Sequence, residues 1–197
     1  MRDDRHRWPA AGGPDRPPLI GRDVAASLIR LPRQTVLSGP YTACMSLAAV
    51  TTPAVGGDSA ATGDHYAIRQ RRDRVLVVGG TAIDDGWHPD PGIAVSDMTA
   101  AYAVIELAGP GVQRVIASGT EFVAGSRSAA RLWHGFSCLL YRHGDSYRLH
   151  IRSAHLDAAW QMLDRQFGLL ARMPDPDHHV TSMMDSPPAD IPVEVQS

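Results

Sequence analysis

Residues 106–119, ELAGPGVQRVIASG, hold the glycine spacing that comes nearest to a phosphate-cradling loop. Such a loop works because several free backbone N–H groups converge on an anion at a helix N-terminus. Here Gly109-Pro110-Gly111 is followed by Arg114, so the third glycine of GxGxxG is absent, and there is no P-loop lysine. Pro110 also removes an N–H where the anion would sit. The stretch is therefore read as a strand-to-helix turn, with Pro110 at the first helical position and Gly119 at the helix end. The segment VVGGT at 77–81 is weaker still, since no amphipathic helix follows it.

The other candidate groups are scattered. Nine histidines occur without HxH or HExxH spacing, and the adjacent pair His178-His179 sits in an acidic, proline-rich stretch. The segment Ala124-Gly125-Ser126-Arg127-Ser128 lacks the second glycine of a strained nucleophile elbow. Asp84, Asp85 and Asp97 lie near turns, where a carboxylate accepts local N–H groups as readily as it moves a proton. Cys44 and Cys138 lack metal or redox spacing. No catalytic, cofactor-binding or metal residue is assigned.

One row remains. In YRLHIR, Tyr147, Leu149 and Ile151 alternate with Arg148, His150 and Arg152, which predicts a strand with one buried and one wet face. Arg148, His150 and Arg152 are thus candidates for contact with an acidic partner surface.

These residues need elements to hold them. RVLVV at 74–78, bounded by Gly79-Gly80, reads as a buried strand. Residues 84–92, DDGWHPDPG, read as a loop, and IAVSDMT leads into the alternating strand AYAVIEL. Val112, Val115 and Ile116 predict a short helix over 110–118. AARLWH and FSCLLYR flank Gly135, and His143-Gly144-Asp145-Ser146 reads as a hairpin turn. Ser153 is expected to cap a helix carrying Leu156, Ala159, Trp160, Leu163 and Phe167 on one face, with Gly168 as its stop. Trp133, Trp160 and Phe167 are read as packing residues. The order predicts an α+β fold, an antiparallel sheet with two helices packed on one face, close to a ferredoxin-like arrangement.

The 197 residues suit one domain, placed at 24–173 and best defined over 74–168. Residues 1–23 are expected to be a mobile arm and 174–197 a disordered tail; 24–73 carries no strong signature. A net charge of -2, from 19 Lys plus Arg against 21 Asp plus Glu, gives no electrostatic case for nucleic acid or an anionic membrane. With no run of 18 apolar residues and no apolar core near Met1, a cytoplasmic protein is expected.

AVSDMTAAYAVIELAGPGVQRVI resembles the strand, polar link, strand and Gly-Pro turn of the aminomethyltransferase and folate-binding-fold superfamily. LLYRHGDSYRLHIRSAHLDAAWQML, with its Arg-Ser pair and tryptophan-bearing helix, resembles the gamma subunit of heterotetrameric sarcosine oxidase. The likeness covers residues 93–168. It implies a non-catalytic subunit of a complex that demethylates sarcosine or a related N-methyl amine to glycine, formaldehyde or methylene-tetrahydrofolate, and hydrogen peroxide. Its implied partners are alpha, beta and delta subunits. FAD, FMN and NAD would be held by partner subunits, tetrahydrofolate would act in the complex, and this chain would hold none. Aminomethyltransferases carry an asparagine or aspartate cluster just after the strand that here ends in Ile151-Arg152-Ser153-Ala154-His155, and no carboxylate stands there. The alternative from the same superfamily is a free-standing tetrahydrofolate-dependent aminomethyltransferase, with Asp97 handling the proton.

Overall fold

The computed structural model of the chain describes residues 16–57, 59–120 and 126–172. The expected tail lies outside them, as does the expected arm up to residue 15. Its last residues are described: Leu19–Ile20 form a short strand, β1, paired with β2 (Ala25–Ile29). The following strands are β3 (Gln34–Ser38), β4 (Ala60–Ala61), β5 (Tyr66–Arg71), β6 (Arg74–Val78), β7 (Gly86–His88), β8 (Ile93–Asp97) and β9 (Tyr102–Ala108). β10 (Ala130–Trp133), β11 (Phe136–His143) and β12 (Ser146–Arg152) complete them. The helices are α1 (Tyr41–Leu47), α2 (Val112–Ala117) and α3 (Leu156–Leu170).

The strands form two sheets, so the expected α+β class holds. The first runs β1-β2-β9-β12-β11-β10, with β4 pairing parallel to β11, and the second runs β5-β6-β3-β8-β7. One face of the first sheet carries the two expected helices. Ala103, Ile105 and Leu107 of β9 and Leu149 and Ile151 of β12 pack there against Val115 and Ile116 of α2 and Leu156, Trp160, Leu163 and Phe167 of α3.

The second sheet covers the other face, and it is this layer that the linear pattern does not announce. Leu139 and Tyr141 of β11 meet Tyr66 and Ile68 of β5 and Leu76 and Val78 of β6. The far side of the second sheet is covered by α1, where Val75 and Val77 meet Cys44, Met45 and Ala48. RVLVV is thus buried on both faces, which is why it reads as a continuous apolar run and not an alternation.

Four local expectations shift. Residues 84–92 are not all loop, because Gly86–His88 pair with Ile93–Val95 in a hairpin. Pro110 stands before the N-cap Gly111 instead of opening α2. Ser153 does not cap α3: its hydroxyl donates to the Ala100 carbonyl at 2.9 Å, and the chain enters α3 through a 3₁₀ turn with His155 at the N-cap. Gly168 does not stop α3, which continues to Leu170. Gly168 keeps a negative φ on the exposed face, while Phe167 and Leu170 pack on the core and hold the last turn helical.

The two hairpin turns follow the expected chemistry. His134 and Gly135, with φ of 46° and 84°, join β10 to β11 in the doubly left-handed turn that matches strand twist. Gly144 and Asp145 join β11 to β12, with Gly144 at φ 55°.

Candidate functional site

The row Arg148, His150 and Arg152 is the natural starting point, and it does not form a wet face. β12 is a central strand flanked by β9 and β11, and the side of it that carries this row is turned to the second sheet. His150 is completely buried, Arg148 is half-buried, and Arg152 alone is exposed, its guanidinium 5.0 Å from the centre of the Tyr102 ring. Alternation misled here because a buried polar face and a solvated one have the same period. The corrective hint lay one strand away, where Tyr102 and Val104 share a face with Glu106, so two of its three residues are apolar.

What fills that interlayer face is a chain of hydrogen bonds. The Arg148 side chain binds Glu106 at 3.0 Å and the Tyr66 oxygen at 2.9 Å; the Tyr66 and Tyr141 oxygens are 2.8 Å apart. Tyr141 lies 2.8 Å from Nε2 of His150, and Nδ1 of His150 lies 2.9 Å from Oε1 of Gln34. Tyr66 and Gln34 belong to the second sheet and the rest to the first, so the Arg148–Tyr66, Tyr66–Tyr141 and His150–Gln34 bonds cross the layer boundary.

The donors can be assigned from the ends inward. Guanidinium only donates, so Tyr66 accepts from Arg148 and gives its own proton to Tyr141. Tyr141 then donates to Nε2 of His150, and Nδ1–H donates to the Gln34 carbonyl oxygen. Reversing the Gln34 amide would leave the Tyr66 proton facing Arg148, which cannot accept it. His150 is therefore neutral with its proton on Nδ1. Burial, helped by the positive charge of Arg148, pushes its pKa down to about 3. Burial raises the Tyr66 phenol and holds Tyr141 well above the usual phenol range. None of these three groups changes charge near neutrality, so the arrangement fixes the two sheets in register. Gln34, Tyr66, Tyr141 and Glu106 complete it, and only the polar residues inside β3, β5, β11 and β9 hinted at them.

The glycine turn has a different tenant. The Gly111 N–H donates to the Asp23 carbonyl at 2.9 Å, a side chain at Gly111 would strike the Asp23 carboxylate, and Arg114 pairs with that carboxylate. Gly109, at φ 112°, lies against the Asp23 backbone. The place where a phosphate would bind is taken by an acid from the same chain.

The remaining candidates have local roles. Asp85 accepts the Asp97 N–H at 2.7 Å and Asp97 accepts the Thr99 N–H at 2.8 Å, so both carboxylates hold the turn that links β8 to β9. Ser126 donates to the Ser128 carbonyl, while Ala124 and Gly125 lie outside the described residues. Among the described residues no group of three or more His, Cys, Asp or Glu could hold a metal ion. His6, His178 and His179 lie outside them. Cys44 and Cys138 are buried thiols, and burial pushes Cys138 up to about 12. Trp133 of β10 and Trp160 and Phe167 of α3 sit in the core between the first sheet and its helices.

Among the described residues four large apolar side chains stay exposed: Ile20 on β1, Trp87 on β7, Leu132 on β10 and Leu169 on α3. β1, β7 and β10 are sheet-edge strands. No helix among the described residues is long and apolar enough to cross a membrane.

No protein-family model and no curated protein matches the chain. Among solved structures, a chain of the heterotetrameric sarcosine oxidase from Corynebacterium sp. U-96, in complex with pyrrole 2-carboxylate, is similar in fold. The TM-score is 0.61 at 16% identity, over 80% of this chain and 90% of that one, a likeness of fold and of nearly whole chains.

Proposed function

We propose that the chain is a gamma-type subunit of a heterotetrameric sarcosine-oxidase-like complex. The observation that carries the reading is the shared fold over 80% of this chain and 90% of a chain from such an enzyme. Mutual coverage that high means two chains of comparable length, so the likeness is to a whole subunit and not to a segment of a much larger one. The subunit supports oxidative demethylation of sarcosine or a related N-methyl amine, while FAD, FMN and NAD belong to the alpha, beta and delta partners and tetrahydrofolate to the assembled enzyme.

Of the β12 row, His150 is buried between the sheets, so only exposed Arg152 and half-buried Arg148 remain available to such partners. The exposed side chains Ile20, Trp87, Leu132 and Leu169 are the better anchors, because an apolar group leaving water at an interface contributes about 25 cal/mol per Å². Co-expression with the flavin-binding subunits of its own cells tests the reading. The expected result is a co-purifying complex that releases hydrogen peroxide with sarcosine, weakened by Leu132→Asp or Trp87→Asp. A chain that stays alone when those subunits are abundant would overturn it.

A further inference from the structure

A cleft lies away from the hydrogen-bonded chain. It has a volume of about 450 Å³ and is lined by Tyr41, Pro53, Ala54, Gly56, Ser59, Arg69, Ser126 and Arg127. It forms where the edge of the second sheet meets the segment leading into β10. Val55 bridges to Ile68 of β5, and Ala129 N–H donates to the Arg69 carbonyl at 2.8 Å. β5 carries an irregularity in register between Arg69 and Arg71, a common way to redirect a side chain at a sheet edge.

The lining is one-sided in its chemistry. Arg69 and Arg127 line the cleft, and among the described residues no carboxylate lines it and neither arginine has an ion pair. Arg69 is held in place, with its guanidinium 4.4 Å from the centre of the Tyr41 ring. The Tyr41 oxygen in turn accepts the Ala54 N–H at 3.0 Å, which fixes the ring. Ser59 accepts the Gly56 N–H at 3.1 Å and keeps its own O–H to donate. Next to the lining residue Gly56, Gly57 lies against Nη2 of Arg131, which is buried without a hydrogen-bond partner among the described residues. A side chain at Gly56 would collide with the Arg127 backbone, so the wall stays flat.

We propose that this cleft binds a small organic oxyanion, a carboxylate or phosphate monoester. Arg69, Arg127 and Ser59 take the oxygens, and the carbon skeleton lies against Tyr41, Pro53 and Ala54. Guanidinium pairs select such groups because their fixed N–H forks match two oxygens at once, and charge-assisted bonds are the stronger ones. The site is separate from the proposed subunit contacts and stands whether or not that assembly forms.

Titration calorimetry of the full chain at low salt tests this, with succinate and inorganic phosphate as separate probes. Saturable binding of at least one probe is expected, and which binds more tightly tells carboxylate from phosphate. Arg127→Gln, at an exposed position that leaves folding intact, weakens it at least about tenfold, and Arg69→Gln does the same. Absence of saturable heat with both probes, or unchanged affinity in Arg127→Gln, overturns the proposal.

Discussion

Tyr141 donates to His150 and accepts from Tyr66, so removing its hydroxyl breaks the buried chain at two points. Tyr141→Phe leaves Nε2 of His150 without a donor and the Tyr66 proton without an acceptor. An unsatisfied buried polar group costs about 1–3 kcal/mol, so a loss of about 2 kcal/mol is expected in urea unfolding; a loss below about 0.5 kcal/mol would mean the chain is not closed as described. His150 adds a pH dependence. Its folded pKa of about 3 lies below the ordinary 6.5. The unfolded chain therefore takes the proton first as pH falls, and stability present above the ordinary value is lost through the window down to the folded one. The slope approaches about 1.4 kcal/mol per pH unit. Urea midpoints measured from about pH 7 to about pH 4 should fall faster for the native chain than for His150→Gln. Parallel curves would show that His150 is not held neutral. At this scale the sequence was only half readable: it set Arg148, His150 and Arg152 in one row on one face, but a period of two cannot say whether water or another sheet lies opposite.

Elements with a strong period were legible. The face Leu156, Ala159, Trp160, Leu163 and Phe167 is buried as its spacing implies, and both hairpins turn at the expected residues. α1 was not legible, because its seven residues have no side-chain cap and only Cys44 and Met45 are buried. Its end carries a strain that can be tested. Ala49 sits at φ 52°, while its N–H and that of Val50 close the helix onto Ser46 and Met45 at 3.0 and 3.2 Å. Glycine is the residue that fits this left-handed closing position. Ala49→Gly should therefore stabilise the protein by about 0.5–1 kcal/mol, read as a raised thermal midpoint. A lowered midpoint would argue against that helix end. The Gly-Pro-Gly turn was recognised as structural, yet its partner Asp23 could not be inferred, since the two lie far apart in sequence.

At the scale of the molecule, the α+β class and the helix-covered sheet were visible and the second sheet was not. Its strands come from residues 34–38, 66–71, 74–78, 86–88 and 93–97, and β3 sits between β6 and β8, a pairing that no local pattern encodes. That sheet buries His150, so the proposed partner contact falls to Arg152 and to the exposed apolar residues on β1, β7, β10 and α3. The central claim is that this chain works inside a flavoenzyme assembly of the sarcosine-oxidase kind. The most direct measurement is the light-scattering mass and visible spectrum of the tagged chain purified from its own cells. The account predicts a heterotetramer that carries flavin absorption and turns over an N-methyl amine; a flavin-free species with the 21.2 kDa mass of the single chain would contradict it.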